Sequence, residues 1–101
     1  MSNAAMAIQV LPQEKDTAKL LKIVDAAIAE IDTSGLSYEV GSFETTIEGN
    51  LDELIALIPA IQKACVAAGA EMISNYIKLS YAPKKHLLTT DEKLHKYRKN
   101  N

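Results

Sequence analysis

The sequence has no tryptophan, a single phenylalanine, a single cysteine and a single arginine in 101 residues, and each scarcity removes a class of protein. One cysteine, Cys65, excludes an intrachain disulfide and supplies no metal-ligand pair. It falls at an apolar helical position, which reads as a core thiol rather than a nucleophile. With Arg98 the lone arginine and a formal charge of −2, nothing draws the chain to phosphate backbones or anionic lipid, and bidentate reading of phosphates or bases is unsupported. No apolar run approaches the roughly 18 residues of a membrane span. The start has no basic segment followed by an apolar one. These features predict a cytoplasmic protein that contacts neither nucleic acid nor membrane.

Motifs of chemistry are missing too. There is no G-x-G-x-x-G, Walker A, C-x-x-C, H-x-x-x-H or G-x-S-x-G pattern, so nucleotide-fold, metal and hydrolase readings have no direct support. His86 and His95 lie in the polar C-terminal region without a third ligand, which reads as solvated histidine rather than a metal site. No metal, cofactor or catalytic residue is expected.

What is present is periodicity. Aromatics make up 5% of the chain against 48% for hydrophobic residues together, so the core must be aliphatic. Residues 6 to 11 alternate, with Met6, Ile8 and Val10 on one side, and Pro12 ends this first strand. Leu21, Val24, Ile28 and Ile31 then recur in steps of three and four, a helical stripe capped by Asp16 or Thr17 and ended by Gly35. Residues 37 to 49 are rich in β-formers and read as two strands meeting near Gly41 to Glu44. Asn50 opens a second helix with Glu53 at capping-box spacing; Leu51, Leu54, Ile55, Ile58, Ile61 and Cys65 form its stripe, with Pro59 bending it and Gly69 ending it. From 71 to 81 the period is two again, with Ile73, Ile77, Leu79 and Tyr81 opposite Met72, Ser74, Tyr76, Lys78 and Ser80. Thr89 to Glu92 has capping-box spacing before a short basic helix.

The order strand, helix, strand, strand, helix, strand predicts an α+β ferredoxin-like βαββαβ sandwich: a four-stranded antiparallel sheet, two helices on one face, and a short C-terminal helix. A length of 101 residues suits one core, placed here over residues 5–99. Residues 1–4 are set aside as a tag remnant or disordered start, because Ser2-Asn3-Ala4 resembles an expression scar. The uncovered sheet face, with Met72 and Tyr76, is a ligand floor or an oligomer interface.

One cluster stands out, Phe43-Glu44-Thr45-Thr46-Ile47-Glu48-Gly49-Asn50. Two hydroxyls and a carboxylate sit on a strand running into a helix start, which puts donors, acceptors and a positive helix end in one place. Alternation sends Thr45 and Ile47 to one face and Thr46 and Glu48 to the other. If Ile47 enters the core, Thr46 and Glu48 project from the uncovered face. A Thr-rich edge strand with a solvated glutamate and a turn glycine is the plain alternative.

The first strand ending at Pro12, the Thr45-Thr46-Ile47-Glu48-Gly49 block before an acidic amphipathic helix, and the long last strand of Ile-Lys-Leu type resemble the thiamine-binding protein family over about residues 6 to 98. The resemblance implies a ferredoxin-like fold, assembly into homodimers or homotetramers through the sheet, and non-catalytic binding of thiamine or its hydroxymethylpyrimidine part. It nominates Glu48, Thr45 and Thr46 as polar ligand contacts and Gly49 as the residue that allows the turn. Phe43 or Tyr76 would supply a flat partner for the ring.

Other functions also live on this architecture. A regulatory or scaffold module of the ACT type would put Met72, Tyr76 and Lys78 in a subunit interface and leave Glu48 structural. An acylphosphatase needs an arginine in the first strand-helix loop, and Gln13-Glu14-Lys15-Asp16 has none. An RNA-recognition domain stacks bases on aromatics of its central strands, and the first strand here has no aromatic residue.

Overall fold

A computed structural model describes residues 2–84. The elements run β1 (Ala4–Pro12), α1 (Thr17–Thr33), β2 (Ser37–Val40), β3 (Thr45–Gly49), α2 (Leu51–Ala67) and β4 (Ile73–Tyr81). The sheet has the order β2-β3-β1-β4, with every neighbouring pair antiparallel. This is the βαββαβ sandwich that the pattern predicts. The expected C-terminal helix, His86 and His95 lie outside the described residues.

Local chemistry explains the boundaries. The Asp16 carboxylate accepts the N–H groups of Ala18 and Lys19 and starts α1, and the Glu53 carboxylate accepts the N–H of Asn50, at 3.3 Å, at the start of α2. Among the described residues, Gly35 and Gly69, past the helix ends, are the ones with positive φ, as helix termination favours. α2 continues through Pro59. The carbonyl deprived of its partner belongs to Ile55, an exposed residue, so water can take the missing bond. Residues 41–44 close the β2–β3 hairpin, with the Gly41 N–H donating to the Glu44 carbonyl at 2.9 Å. A side chain at Gly41 would put its Cβ 2.9 Å from that same oxygen, so only glycine fits.

Alternation along β1 and β3 is obeyed. Met6 faces Ile47 and Ile8 faces Thr45 across the ladder, all four are buried, and the helices cover this side. Ile23, Ala27 and Ile31 of α1 and Leu54, Leu57, Ile61 and Cys65 of α2 complete the core.

Three expectations need correction. In α1 the buried row is Ile23, Ala27 and Ile31, whereas Leu21 is 57% exposed and Val24 and Ile28 are half-buried. In α2 the predicted stripe holds at Leu54, Ile61 and Cys65, but Ile55 is exposed and Leu57, outside that stripe, is buried. Both helices carry apolar residues over an arc wider than one contact, so spacing leaves their rotation undetermined. Asn3 and Ala4, set aside above, belong to the sheet region: Ala4 is fully buried in β1, and the Asn3 side chain accepts the Leu51 N–H at 3.1 Å, at the start of α2.

Candidate functional site

The apolar row of α1 that misses the core forms a wall. Leu21, Val24 and Ile28 face Val40 and Phe43 of the β2–β3 hairpin across a groove of about 390 Å³, floored by β1 and Thr45. That volume lies within the range of small-molecule sites. Phe43 stands at the rim 82% exposed, and Val40 and Leu21 are exposed beside it. A solvent-exposed aromatic ring next to an apolar concavity is a surface that a flat ligand would cover. Thr45, buried at 8% exposure, adds a hydroxyl to the floor.

The rest of the nominated residues are elsewhere. Thr46 and Glu48 alternate onto the uncovered face, where Thr46 lies beside Ala7 and Glu48 beside Ala5. Tyr76, 67% exposed, is on the same face beside Gln9, on the far side of β1. Two strand spacings and four residues separate Glu48 from Tyr76, roughly 16 Å between Cα atoms, so one small ring cannot touch both. The uncovered face carries a further pair: Lys78 Nζ lies 3.2 Å from Glu44 Oε1.

Gly49 has a role other than the expected turn. Its φ is not positive, and it is buried, with a Cβ at this position falling 3.1 Å from Cδ2 of Leu36. A side chain here would press on Leu36, while the backbone conformation does not itself require glycine. The nominated block therefore divides: Phe43 and Thr45 go to the groove, Thr46 and Glu48 to the open face, and Gly49 to the packing beneath α2.

Spacing missed the groove wall because it assigned Leu21, Val24 and Ile28 to the core. The signal was present as an excess of apolar positions around α1, more than one stripe can use.

The electrostatics are concentrated at the β1–α1 turn. Glu14 accepts the N–H groups of Asp16 and Lys15 and pairs with Lys19 at 3.3 Å. These contacts, the Asp16 N–H first, hold its carboxyl below the ordinary value. Tyr38 donates to Asp32 of α1 at 2.9 Å, which pushes the phenol up. Burial pushes the Cys65 thiol up, as suits a core group rather than a nucleophile. Among the described residues, no cluster of His, Cys, Asp and Glu could hold a metal ion, and no helix is long and apolar enough to cross a membrane.

Residues 6–98 match the family model described as thiamine-binding protein. A UPF0045 protein of Clostridium perfringens is 37% identical over 98 residues, which cover 97% of this chain and 100% of that protein. Among solved structures, a domain of unknown function from Bacillus cereus is 42% identical, with a TM-score of 0.81 over 96% of this chain and 91% of that one. A candidate thiamine biosynthesis/salvage protein of Thermotoga maritima is 28% identical, with a TM-score of 0.79 over 94% and 98% of the two chains.

Proposed function

The chain belongs to the thiamine-binding protein family, and from that premise we propose that it binds thiamine or its hydroxymethylpyrimidine part, without transforming it, in the groove between α1 and the β2–β3 hairpin. The observation that carries this reading is the exposed Phe43 ring at the rim of a 390 Å³ apolar groove. A pyrimidine ring stacks on Phe43, its apolar edges meet Leu21 and Val24, and the Thr45 hydroxyl serves a ring nitrogen or the exocyclic amine. Thr46, Glu48 and Tyr76 belong to a second function, the contact by which copies of the chain assemble through their sheets as a homodimer or homotetramer. A cytoplasmic location goes with this reading, supported by the single buried thiol.

Titration calorimetry with thiamine and with hydroxymethylpyrimidine tests the proposal. Phe43→Ala should weaken binding about tenfold, equivalent to roughly 1.4 kcal/mol, while Glu48→Gln leaves it unchanged. The opposite pattern would move the ligand to the open face, and no heat from either compound would favour the regulatory or scaffold reading. Sedimentation of the parent and of a Thr46→Lys/Tyr76→Ala variant tests assembly, which the variant should weaken.

A further inference from the structure

The edge strand β4 has an apolar side that the helices leave open. Tyr81, Leu79 and Ile77 stand beside Ala4, Met6 and Ile8 in the ladder with β1 and share their side of the sheet. The three β1 residues are buried, whereas Ile77, Leu79 and Tyr81 are 38%, 43% and 50% exposed. α2 meets this strand where Gln62 bonds Asn75, and exposure climbs from there to Tyr81. Ile55 and Ile58 share the Gln62 side of α2 by helical spacing, and Ile55 is exposed as well. The result is an apolar cleft between α2 and β4 that opens toward Tyr81. β4 is also a nine-residue edge, and an apolar edge of that length invites wrong pairing unless something covers it.

We infer that the chain covers this cleft itself, with the segment that follows Lys84, whose apolar residues are Leu87, Leu88, Leu94 and Tyr97. Position places that segment at the cleft. The Asn3 backbone carbonyl accepts the Ala82 N–H at 2.8 Å, and Asn3 Oδ1 accepts the Leu51 N–H at 3.1 Å, so the chain leaves β4 beside the first turn of α2. That turn holds Asp52 and Glu53, and the departing segment opens with Lys84 and Lys85. Charge acts in the same direction over the whole molecule. Residues 1–81 hold five lysines against eleven carboxylate side chains, a net −6, while residues 82–101 hold six basic side chains against two acidic ones, a net +4. Opposite fields of this kind draw the segment onto the body and fix where it lands. From Tyr81 to Ile77 the cleft is about 13 Å long, which the residues after Lys84 can span. Leu94 and Tyr97, three positions apart, enter it against Ile55, Leu79 and Tyr81, and the basic residues around them stay at the surface.

Magnetic resonance of the full chain tests this contact. A nitroxide on Lys96→Cys, with the buried Cys65 left in place, should broaden away the methyl signals of Ile55, Ile77 and Leu79 relative to the reduced label. The methyls of Leu21, in the groove wall, should keep their intensity. Isotope-labelled chains without nitroxide, mixed with an excess of unlabelled nitroxide-bearing ones, should show no such loss, which assigns the contact to a segment and a cleft of the same chain. Adding Leu94→Asp/Tyr97→Asp to the nitroxide chain should restore the three signals while the rest of the methyl spectrum confirms an intact fold. Full intensity at Ile55, Ile77 and Leu79 in the nitroxide chain overturns the inference. Broadening in the mixed sample also overturns it and gives the cleft to a second copy. Broadening that survives the Asp substitutions overturns the apolar contact on which the inference rests.

Discussion

The side-chain amides of Gln62 on α2 and Asn75 on β4 exchange two hydrogen bonds, Gln62 Nε2 donating to Asn75 Oδ1 at 3.0 Å and Asn75 Nδ2 donating to Gln62 Oε1 at 2.7 Å. Asn75 lies between Ile73 and Ile77 on the helix-facing side of an edge strand, opposite Val10 of β1. The reciprocal pair satisfies both polar groups and marks one register of α2 against the sheet. Asn75→Ala leaves the Gln62 amide half-buried without its partner and should cost roughly 1–3 kcal/mol. Gln62→Leu/Asn75→Leu should cost less than the sum of the single changes, a coupling that a double-mutant cycle in urea reads directly.

Gly49→Ala should destabilise by about 1–3 kcal/mol, because the added methyl meets Leu36 in a packed layer. Leu36→Ala in the same chain should recover part of the loss, since it removes the atoms in the way. If Gly49 served backbone conformation instead, Leu36→Ala would add to the damage.

Two groups give stability opposite dependences on pH. The Glu14 carboxyl is held below its ordinary value of 4.5, so its contribution is present above that pH and is lost as the pH falls through the lowered value. The melting-temperature difference between the parent and Glu14→Gln should therefore shrink to nothing in acid. The Tyr38 phenol is raised above its ordinary 10.0 by Asp32, so its contribution is present below pH 10 and is lost as the pH rises through the raised value. Tyr38→Phe should flatten the alkaline limb alone.

Cys65 is fully buried, its Sγ 3.9 Å from the Ile23 carbonyl. A disulfide reagent should label it only when the domain opens, at a rate independent of reagent concentration once the reagent is in excess. Fast second-order labelling of the native protein would contradict a core thiol.

Much of this was legible in advance, for reasons that differ by element. A strand reverses its side chains at every residue, so naming Ile47 as core places Thr46 and Glu48 outside without further information, and the register of β1 with β3 agrees. Caps behaved similarly: Asp16 and Glu53 act through bonds two or three residues away, within reach of local pattern. A glycine before a helix suggests a turn, whereas the contact that a side chain at Gly49 would make, with Leu36, involves a residue thirteen positions back in the chain and beyond the reach of local pattern.

By itself the sequence determined the element order, the two faces of each strand and the helix ends, all of which follow from interactions within a few residues. The tertiary structure alone decided which apolar row of α1 enters the core and which becomes the wall of a groove. A helix bearing hydrophobic residues over a wide arc can rotate without breaking any local rule. Its rotation was decided by the surfaces of β1 and α2, and that same rotation set Leu21, Val24 and Ile28 opposite Val40 and Phe43 of the β2–β3 hairpin, residues that no local pattern brings together.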